Sequence, residues 1–330
     1  MTKPKNNNKN KNKNKNKNKN KNKNNSNVPT VSCACPTMFS RKDFIPQTIH
    51  LFQQQDYPKD KLELVFFEDG GNALEDIIKP FMETDDRIKY YSCPEKLILG
   101  EKRQTLIKKY CENSIVAWWD DDDYYYPCRI SYSVRKLTSH PKAQVAGCSA
   151  QQLFFTTLKK IYNVEKMDNP YHATAGTMIL YRKLFFENNG MQDPPLSFVH
   201  DKKFAEERAM LKNYTVPLIQ LDISKVMMIV CHGSSNTVPK EQLTNRPNLI
   251  ELASGCDIKT KIRSFVGKKD KVSLEFYLNL IRRNEESGES ALWQQYKDSG
   301  RTDIFHICQG TIDPNSDEIR KLNGLPPLGQ

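Results

Sequence analysis

The apolar residues of this chain occur in short runs that alternate with longer amphipathic stretches. Runs rich in β-branched and aromatic residues occupy 30–35, 62–67, 87–91 and 115–119, and polar turns follow them. Between these runs the apolar residues recur three or four positions apart, as they do on one face of a helix. The alternation predicts an α/β fold, a three-layer α/β/α sandwich around a mostly parallel central sheet.

The same pattern predicts the remaining elements. Asp43 is a candidate N-cap for a helix that ends near Phe52, and Asp201 is a candidate N-cap for a later helix. The other predicted helices cover about 74–82, 100–111, 272–283 and 290–297. The later strands are predicted at 144–149, in a hairpin over 152–164, and at 175–182 and 226–230.

Four consecutive aspartates, residues 120–123, follow an aromatic-rich strand that ends in Trp118 and Trp119. On an extended strand, Asp120 and Asp122 would point to one side, and Asp121 and Asp123 to the other. A hard divalent cation, Mg²⁺ or Mn²⁺, neutralises two such carboxylates and keeps positions open for phosphate oxygens. The alternative is a solvated acidic loop, but the buried strand before the aspartates favours a metal site.

Two further strands end in polar residues, one at Pro36 and Thr37 and the other at Glu68 and Asp69. Ligands bind beyond the carboxyl ends of the strands in parallel sheets, so the three polar ends are expected to form one site. Arg103 lies at the start of the packing stripe of the next helix. A guanidinium there suits a diphosphate, although an ordinary surface arginine is the alternative.

The motifs occur in a specific order along the chain: Cys35-Pro36-Thr37 with Arg41, Gln55-Asp56-Tyr57-Pro58, Glu68-Asp69-Gly70-Gly71, Gly100-Glu101-Lys102-Arg103-Gln104, and the aspartates with Tyr124 and Pro127. Over about residues 29–235 this series resembles the family 2 glycosyltransferases, which have the A-type nucleotide-diphospho-sugar transferase fold. The chain departs from the family pattern at two positions. The family usually has aspartate at Glu68 and asparagine at Gln104.

The resemblance implies transfer of a sugar from a nucleotide-diphospho-sugar donor to a hydroxyl of a glycan or protein acceptor, with inversion and with Mn²⁺ or Mg²⁺. It implies that the nucleotide-sugar is bound by Pro36, Thr37, Arg41, Glu68, Asp69, Arg103, Asp120 and Asp121. It also implies that the metal is bound by Asp120, Asp122 and His232. A lone histidine is as often a packed residue, and that alternative stays open for His232.

The acidic pair Glu206 and Glu207 is a candidate for the catalytic base. Glu207 falls on a helical stripe with Phe204 and Leu211, where a partly desolvated carboxylate has a raised pKa. From position alone, a charged pair on a solvated face is the simpler interpretation. The resemblance implies that this pair contains the base, and the alignment favours Glu207 over Glu206.

Two other functions are compatible with these residues. A non-catalytic binding or structural protein that retains the fold is suggested by the departures at Glu68 and Gln104. A nucleotidyltransferase also needs paired aspartates, a metal and a nucleotide. Such an enzyme usually has a longer glycine-rich phosphate loop than Gly70-Gly71.

The net charge of +11 originates almost entirely in the N-terminal segment. Residues 1–28 contain ten lysines and no acid, whereas the remaining 40 basic and 39 acidic residues nearly cancel. No specific nucleic-acid binding is therefore expected, and any affinity for polyanions should reside in the tail. The tail contains eight consecutive Lys-Asn pairs and is predicted to be disordered, either as repeat drift in an AT-rich gene or as a tether to an anionic surface.

The predicted organisation has three parts: the tail at 1–27, a glycosyltransferase domain at 28–237 and a mostly helical C-terminal extension at 238–330. Nine scattered cysteines without a CxxC pair indicate reduced thiols. No apolar run reaches the length of a membrane span, and no hydrophobic signal core is present. We therefore expect a soluble protein of a reducing compartment, the cytoplasm, or the virion or host cytoplasm if the gene is viral.

Overall fold

The computed structural model of the protein describes residues 28–186, 197–198, 206–232, 249–267 and 269–287. The Lys-Asn tail, the candidate N-cap Asp201 with Phe204, and the helix predicted at 290–297 lie outside the described residues. None of the helices in the described ranges is long and apolar enough to cross a membrane.

The described strands are β1 Val31–Thr37, β2 Leu62–Asp69, β3 Ile88–Cys93, β4 Ile115–Trp118, β5 Tyr124–Tyr125, β6 Val145–Gly147, β7 Gln151–Phe155, β8 Lys160–Val164, β9 Ile179–Tyr181, β10 Leu218–Gln220, β11 Met227–Cys231 and β12 Leu249–Ser254. The described α-helices are α1 Ile45–Gln53, α2 Glu75–Met82, α3 Leu99–Thr105, α4 Arg129–Thr138, α5 Glu206–Met210, α6 Ile258–Val266 and α7 Lys271–Ser287. These bounds confirm the predicted alternation of strands and helices in the first half of the chain.

Seven strands form the central sheet, in the order β10-β6-β9-β4-β1-β2-β3. Four of its six pairings are parallel, and both antiparallel ones involve β9. The α/β class with a mostly parallel sheet is therefore confirmed. Strand β1 lies between β4 and β2, so the carboxyl ends of these three parallel strands are neighbours at one edge of the sheet.

Apolar side chains cover both faces of the sheet, because helices pack on each side. Cys33 and Cys35 of β1 contribute to a core that includes Phe52 of α1. Ala34, which points the other way, belongs to a second core with Leu106, at the turn that continues α3. Burial on both faces explains why the strands are continuously apolar, and it gives the three layers that were predicted.

A second sheet of five strands, in the order β12-β8-β7-β11-β5, was not predicted as a sheet. Its β7–β8 hairpin matches the hairpin predicted over 152–164. Strand β11 joins β7 in parallel and β5 in antiparallel fashion, so it links two segments that are far apart in the sequence. Strand β12 extends this sheet, and Tyr277 and Ile281 of α7 enter the main core. The described part of the C-terminal extension therefore packs on the preceding fold.

Three predicted boundaries are corrected by the structure. Asp43 is not the N-cap of α1, because a 3₁₀ turn covers Phe39–Phe44 and Pro46 lies in the first turn of the helix that follows. The helix predicted over 100–111 ends at Thr105 and continues as one π-helical turn over Leu106–Tyr110. The strand predicted at 175–182 is shortened to β9, because a 3₁₀ turn covers Ala175–Thr177.

Candidate functional site

The ends of β4, β1 and β2 are joined by direct side-chain contacts. The Thr37 hydroxyl, at the end of β1, donates to Asp121 Oδ2 at 2.6 Å. The ammonium of Lys102 on α3 donates to the Thr37 carbonyl at 2.8 Å and also forms an ion pair with Asp69 at the end of β2. The structure thus brings the three polar strand ends together, as the parallel topology predicts.

Asp69 and Lys102 form a buried ion pair in which each side chain has further partners. Asp69 also accepts from the Leu97 N–H at 2.9 Å and lies 3.3 Å from the ammonium of Lys96. Desolvation raises the pKa of Asp69, but the hydrogen bonds from Lys102 and Leu97 outweigh it and the pKa is lowered. Burial lowers the pKa of Lys102, against the opposing charge of Asp69. Lys102 belongs to one of the motifs that carry the family resemblance, but no role is predicted for it from the sequence.

We expect Lys102→Met to destabilise the protein by about 3 kcal/mol, because it leaves a buried carboxylate short of its closest charge partner. Lys96→Met is the matched control: Lys96 contacts the same carboxylate, but its side chain is 63% exposed, so a loss of under about 1 kcal/mol is expected. Urea unfolding of the two variants measures the difference. Equal losses would contradict this role for Lys102.

The two positions that depart from the family pattern have partners within the fold. Glu68 Oε2 accepts from the Leu74 N–H at 2.9 Å and from the Tyr90 hydroxyl at 2.6 Å. Gln104 Oε1 accepts from the Phe198 N–H at 3.2 Å. Both side chains therefore hold neighbouring backbone segments in place. Pro36, the other residue predicted to contact the nucleotide on this side, is buried within β1.

The aspartate run does not extend β4, and the predicted alternation of its side chains is wrong. Strand β4 ends at Trp118, and residues 120–123 form a turn before β5. Asp121 and Asp122 consequently reach the same guanidinium, with oxygens 3.8 Å and 3.0 Å from nitrogens of Arg41. Asp123 accepts from the Val230 N–H at 2.9 Å, which joins the turn to β11.

His232 lies directly after β11 and faces the aspartate turn. Its Nε2 is 3.0 Å from Asp122 Oδ2, and it also contacts the guanidinium of Arg41. The residue is 1% exposed, and its ring packs on Phe44 with the centroids 4.5 Å apart. The pairing of β5 with β11 brings this histidine to Asp122.

Two of the three predicted metal ligands, Asp122 and His232, are adjacent in the structure, whereas the third, Asp120, is paired with Arg103. In the described ranges no three His, Cys, Asp or Glu side chains are grouped as metal ligands, and the site with three ligands stays a prediction. Neighbouring ligands of an octahedral ion at about 2.1 Å lie about 3 Å apart. The 3.0 Å between Asp122 Oδ2 and His232 Nε2 fits this spacing. An ion held by one carboxylate and one imidazole keeps positions for phosphate and water.

Arg103 connects the aspartate run to the acidic pair on α5. Its Nη2 lies 3.0 Å from Asp120 Oδ1, and its Nε lies 3.3 Å from Glu206 Oε1. The side chain is buried over the Trp118 ring, and Nη1 finds no hydrogen-bond partner among the described residues. A buried guanidinium with an unused donor suits an additional oxygen ligand, such as that of a phosphate.

Among the described residues, two carboxyl groups close to this network have raised pKa values. Desolvation, reinforced by the charge of Glu206, raises the pKa of Glu207 to about 8. Glu207 is half-buried, and the loss of hydration around its carboxyl group is the largest cause of this shift. Desolvation and the charge of Asp122 raise the pKa of Asp121 to about 7. Glu206, by contrast, is paired with Arg103.

Three residues that hold Asp120 or its neighbours in place were not predicted from the sequence: Tyr125, Arg129 and Gly176. The Tyr125 hydroxyl donates to the Asp120 carbonyl at 3.1 Å. Buried Arg129 donates to the Gly176 carbonyl at 2.8 Å and to the Trp118 carbonyl. A Cβ at Gly176 would lie 2.5 Å from Asp120 Oδ2, so any larger residue there would displace the Asp120 carboxylate. No local sequence pattern identifies Gly176 or Arg129, because their partners belong to other parts of the fold. Arg129 and the Gly176 carbonyl, for example, are 47 positions apart in the sequence.

Comparisons with known proteins give one family match and several similar structures. The model of the family Glycosyl transferase family 2 matches residues 32–215. Mannosyltransferase PcManGT from Pyrobaculum calidifontis, in complex with GDP-Man and Mn²⁺, is 14% identical, with a TM-score of 0.48 over 86% of this chain and 84% of that one. S. aureus TarS 1-349 in complex with UDP-GlcNAc is 16% identical, with a TM-score of 0.46 over 78% and 73%.

A longer structure of S. aureus TarS is also 16% identical, with a TM-score of 0.45 over 71% of this chain. This chain spans only 40% of that TarS chain. No curated protein sequence matches the chain significantly.

Proposed function

Because the chain belongs to glycosyl transferase family 2, we propose that it transfers a sugar from a nucleotide-diphospho-sugar to an acceptor hydroxyl, with Mn²⁺ or Mg²⁺ and with inversion. The observation that supports this best is the position of Arg103. Its guanidinium contacts Asp120 of the aspartate run, where the donor is proposed to bind, and Glu206 of the acidic pair, where the acceptor is proposed to bind. One arginine therefore joins the donor and acceptor parts of the proposed site.

The donor diphosphate is expected beside Arg103 and Arg41, at the carboxyl ends of β4 and β1. The unused Nη1 of Arg103 supplies a donor to a phosphate oxygen, and the buried side chain needs no reordering to do so. The nucleoside is expected over Thr37 and Asp69, whose side chains are already fixed by Asp121 and Lys102. Fixed groups bind without a further loss of side-chain entropy.

The divalent cation is expected at Asp122 and His232, whose ligand atoms have the spacing of neighbouring octahedral positions. When bound there, Mn²⁺ or Mg²⁺ supplies a Lewis acid that neutralises the negative charge of the leaving diphosphate. His232 would hold the ion through Nε2, and Phe44 packs against its ring and holds it in this orientation.

Glu207 is the proposed general base. It takes the proton of the acceptor hydroxyl as the new bond forms at the anomeric carbon and the bond to the diphosphate breaks. Attack from the face opposite the leaving group inverts the anomeric centre. Glu206 is less suited to this role, because its carboxylate is engaged by Arg103. Its negative charge instead helps to keep the pKa of Glu207 high.

A pKa of about 8 for Glu207 predicts the pH dependence of transfer. The base acts when deprotonated, so kcat/KM should rise about tenfold per pH unit below pH 8 and level off above it. Initial rates with Mg²⁺ from pH 5.5 to 9.5 measure this. The Asp121→Asn variant is the control, because Asp121 is the other carboxyl with a raised pKa. A pH profile of kcat/KM that levels off near the ordinary glutamate pKa would contradict the assignment of Glu207 as the base.

The proposed function is tested by donor turnover in the full-length protein. UDP-, GDP- and CDP-sugars are incubated with Mn²⁺ or with a chelator, and release of the nucleoside diphosphate is measured. UDP- and GDP-sugars come first, because the TarS and PcManGT complexes contain them. Metal-dependent release from one donor supports the proposal. A folded protein that binds none of them would favour the non-catalytic binding protein that retains the transferase fold.

A further inference from the structure

Arg41 contacts all of the groups at which a divalent cation is expected. It lies in the 3₁₀ turn after β1 and is 6% exposed. Its guanidinium is 3.0 Å from Asp122 Oδ2, approaches Asp121 at 3.8 Å, and contacts His232 Nε2. Phe44, in the same turn, packs on His232 and underlies the guanidinium at 5.9 Å. One side chain of the fold therefore satisfies the two ligand atoms together.

The Arg41 guanidinium lies against both atoms of the proposed metal pair. It is 3.0 Å from Asp122 Oδ2 and contacts His232 Nε2, and these two atoms are themselves 3.0 Å apart. A guanidinium has only hydrogen-bond donors, so its contact with Asp122 uses a carboxylate lone pair that points toward the proposed metal position. Arg41 therefore supplies a positive charge at the place where the metal ion is expected.

A guanidinium and a divalent ion cannot both occupy the space beside Asp122 Oδ2 and His232 Nε2. The imidazole nitrogen has a single lone pair, and two positive groups at that distance in a buried site repel strongly. Binding of a metal ion therefore requires that Arg41 move away from the pair. A diphosphate offers a new partner, because a guanidinium binds phosphate oxygens as it binds a carboxylate.

We infer that Arg41 is an internal counter-ion that occupies the metal position in the metal-free protein and moves to the donor diphosphate when metal and donor bind. This rests on the proposed function, since it assumes a nucleotide-diphospho-sugar as donor. Binding of the metal and binding of the donor would then be cooperative. The diphosphate binds Arg41 and so removes the cation that competes with the metal, and the metal displaces Arg41, which becomes available to the diphosphate. Linkage requires that each ligand strengthen the other equally.

The test is Mn²⁺ binding to the full-length protein, followed by the electron paramagnetic resonance signal of free Mn²⁺. Without nucleotide, Arg41→Met should bind Mn²⁺ about tenfold more tightly than the wild type. Lys42→Met is the matched control, because it removes the same charge from an exposed neighbour in the same turn, and it should leave the affinity unchanged. Unchanged or weaker Mn²⁺ binding in Arg41→Met would overturn the inference.

A second measurement addresses the coupling. With UDP or GDP present, wild-type protein should bind Mn²⁺ more tightly than without it, after correction for Mn²⁺ bound by the free nucleotide. In Arg41→Met this gain should shrink by about tenfold, since no competitor remains to be displaced. An undiminished gain would overturn the inference. Tighter Mn²⁺ binding by Arg41→Met in a protein that turns over no sugar nucleotide would support the inference while rejecting the proposed function.

A third variant covers the case in which Arg41→Met fails to fold. Arg41→Lys keeps the charge but lacks the planar fork that reaches Asp122 and His232 together. It should give a smaller gain in Mn²⁺ affinity, together with a lower melting temperature that saturating Mn²⁺ restores. A melting temperature that Mn²⁺ leaves unchanged in both wild type and variant would count against the inference.

Discussion

Glu207→Gln should lower kcat for sugar transfer by about 10³-fold, because it removes the proposed base and leaves an amide that cannot accept the proton. Binding of the donor should change by less than about threefold, since the described ion pair with Arg103, which is assigned to the diphosphate, is made by Glu206 and not by Glu207. Steady-state transfer and donor titration measure the two effects. Equal losses in kcat and in donor affinity would show that Glu207 acts in binding.

Glu206→Gln is the control that the chain itself provides. It changes the neighbouring residue in the same way, but its expected effect is smaller, because the change weakens the contact with Arg103 and leaves the base in place. It also removes a charge that raises the pKa of Glu207, so the activity that remains should reach its plateau at a lower pH than in the wild type. A larger loss in Glu206→Gln than in Glu207→Gln would exchange the two roles.

Glu207→Gln should also change the pH dependence of stability. The pKa of Glu207 is about 8 in the folded protein and near 4.5 when unfolded, so folding opposes its ionisation. Its contribution to stability is present below pH 4.5 and is lost as the pH rises through 8. Glutamine does not ionise, so the variant should melt at a higher temperature than the wild type, and the difference should grow between pH 5 and 8. Differential scanning calorimetry measures it.

Asp122→Asn should lower kcat/KM by about 10²- to 10³-fold, because it removes the carboxylate of the proposed metal pair. The loss should be accompanied by weaker Mn²⁺ binding, measured by titration with and without nucleotide. His232→Ala should act in the same direction, since its Nε2 is the neighbouring ligand atom. An Asp122→Asn enzyme with wild-type affinity for Mn²⁺ would place the metal elsewhere.

The control for Asp122→Asn is a change of equal charge outside the site. Asp60 lies in the turn before β2 with its side chain 72% exposed, and its nearest cation is Lys61 at 3.8 Å. Asp60→Asn should leave metal affinity and turnover unchanged. A comparable loss in that variant would mean that net charge, not the geometry at Asp122, governs binding.

Much of the central sheet follows from the sequence alone. Strands β1 to β4 were predicted within a few residues, because consecutive buried residues encode them directly. The meeting of Thr37, Asp69 and the aspartate run followed from topology, since parallel strands point their carboxyl ends to one edge. The family also followed from the order of the motifs, and it is confirmed over residues 32–215.

Other parts of the site have no local signature. The second sheet pairs β5 with β11 across about a hundred residues, and this pairing brings His232 to Asp122. The aspartates were expected to alternate along a strand, but the turn that leads to β5 directs Asp121 and Asp122 to one guanidinium. No periodicity predicts a turn whose geometry is imposed by a distant strand.

The sequence by itself determined strands β1 to β4, the polar ends of β1, β2 and β4, and the family to which the chain belongs. The tertiary structure alone decided which charges meet: Lys102 with Asp69, Arg103 with Glu206, and Arg41 with Asp122 and His232. The reason is physical. The burial pattern of a strand depends on residues that are close together in the sequence, so the sequence shows it directly. An ion pair depends on how elements that are distant in the chain pack together.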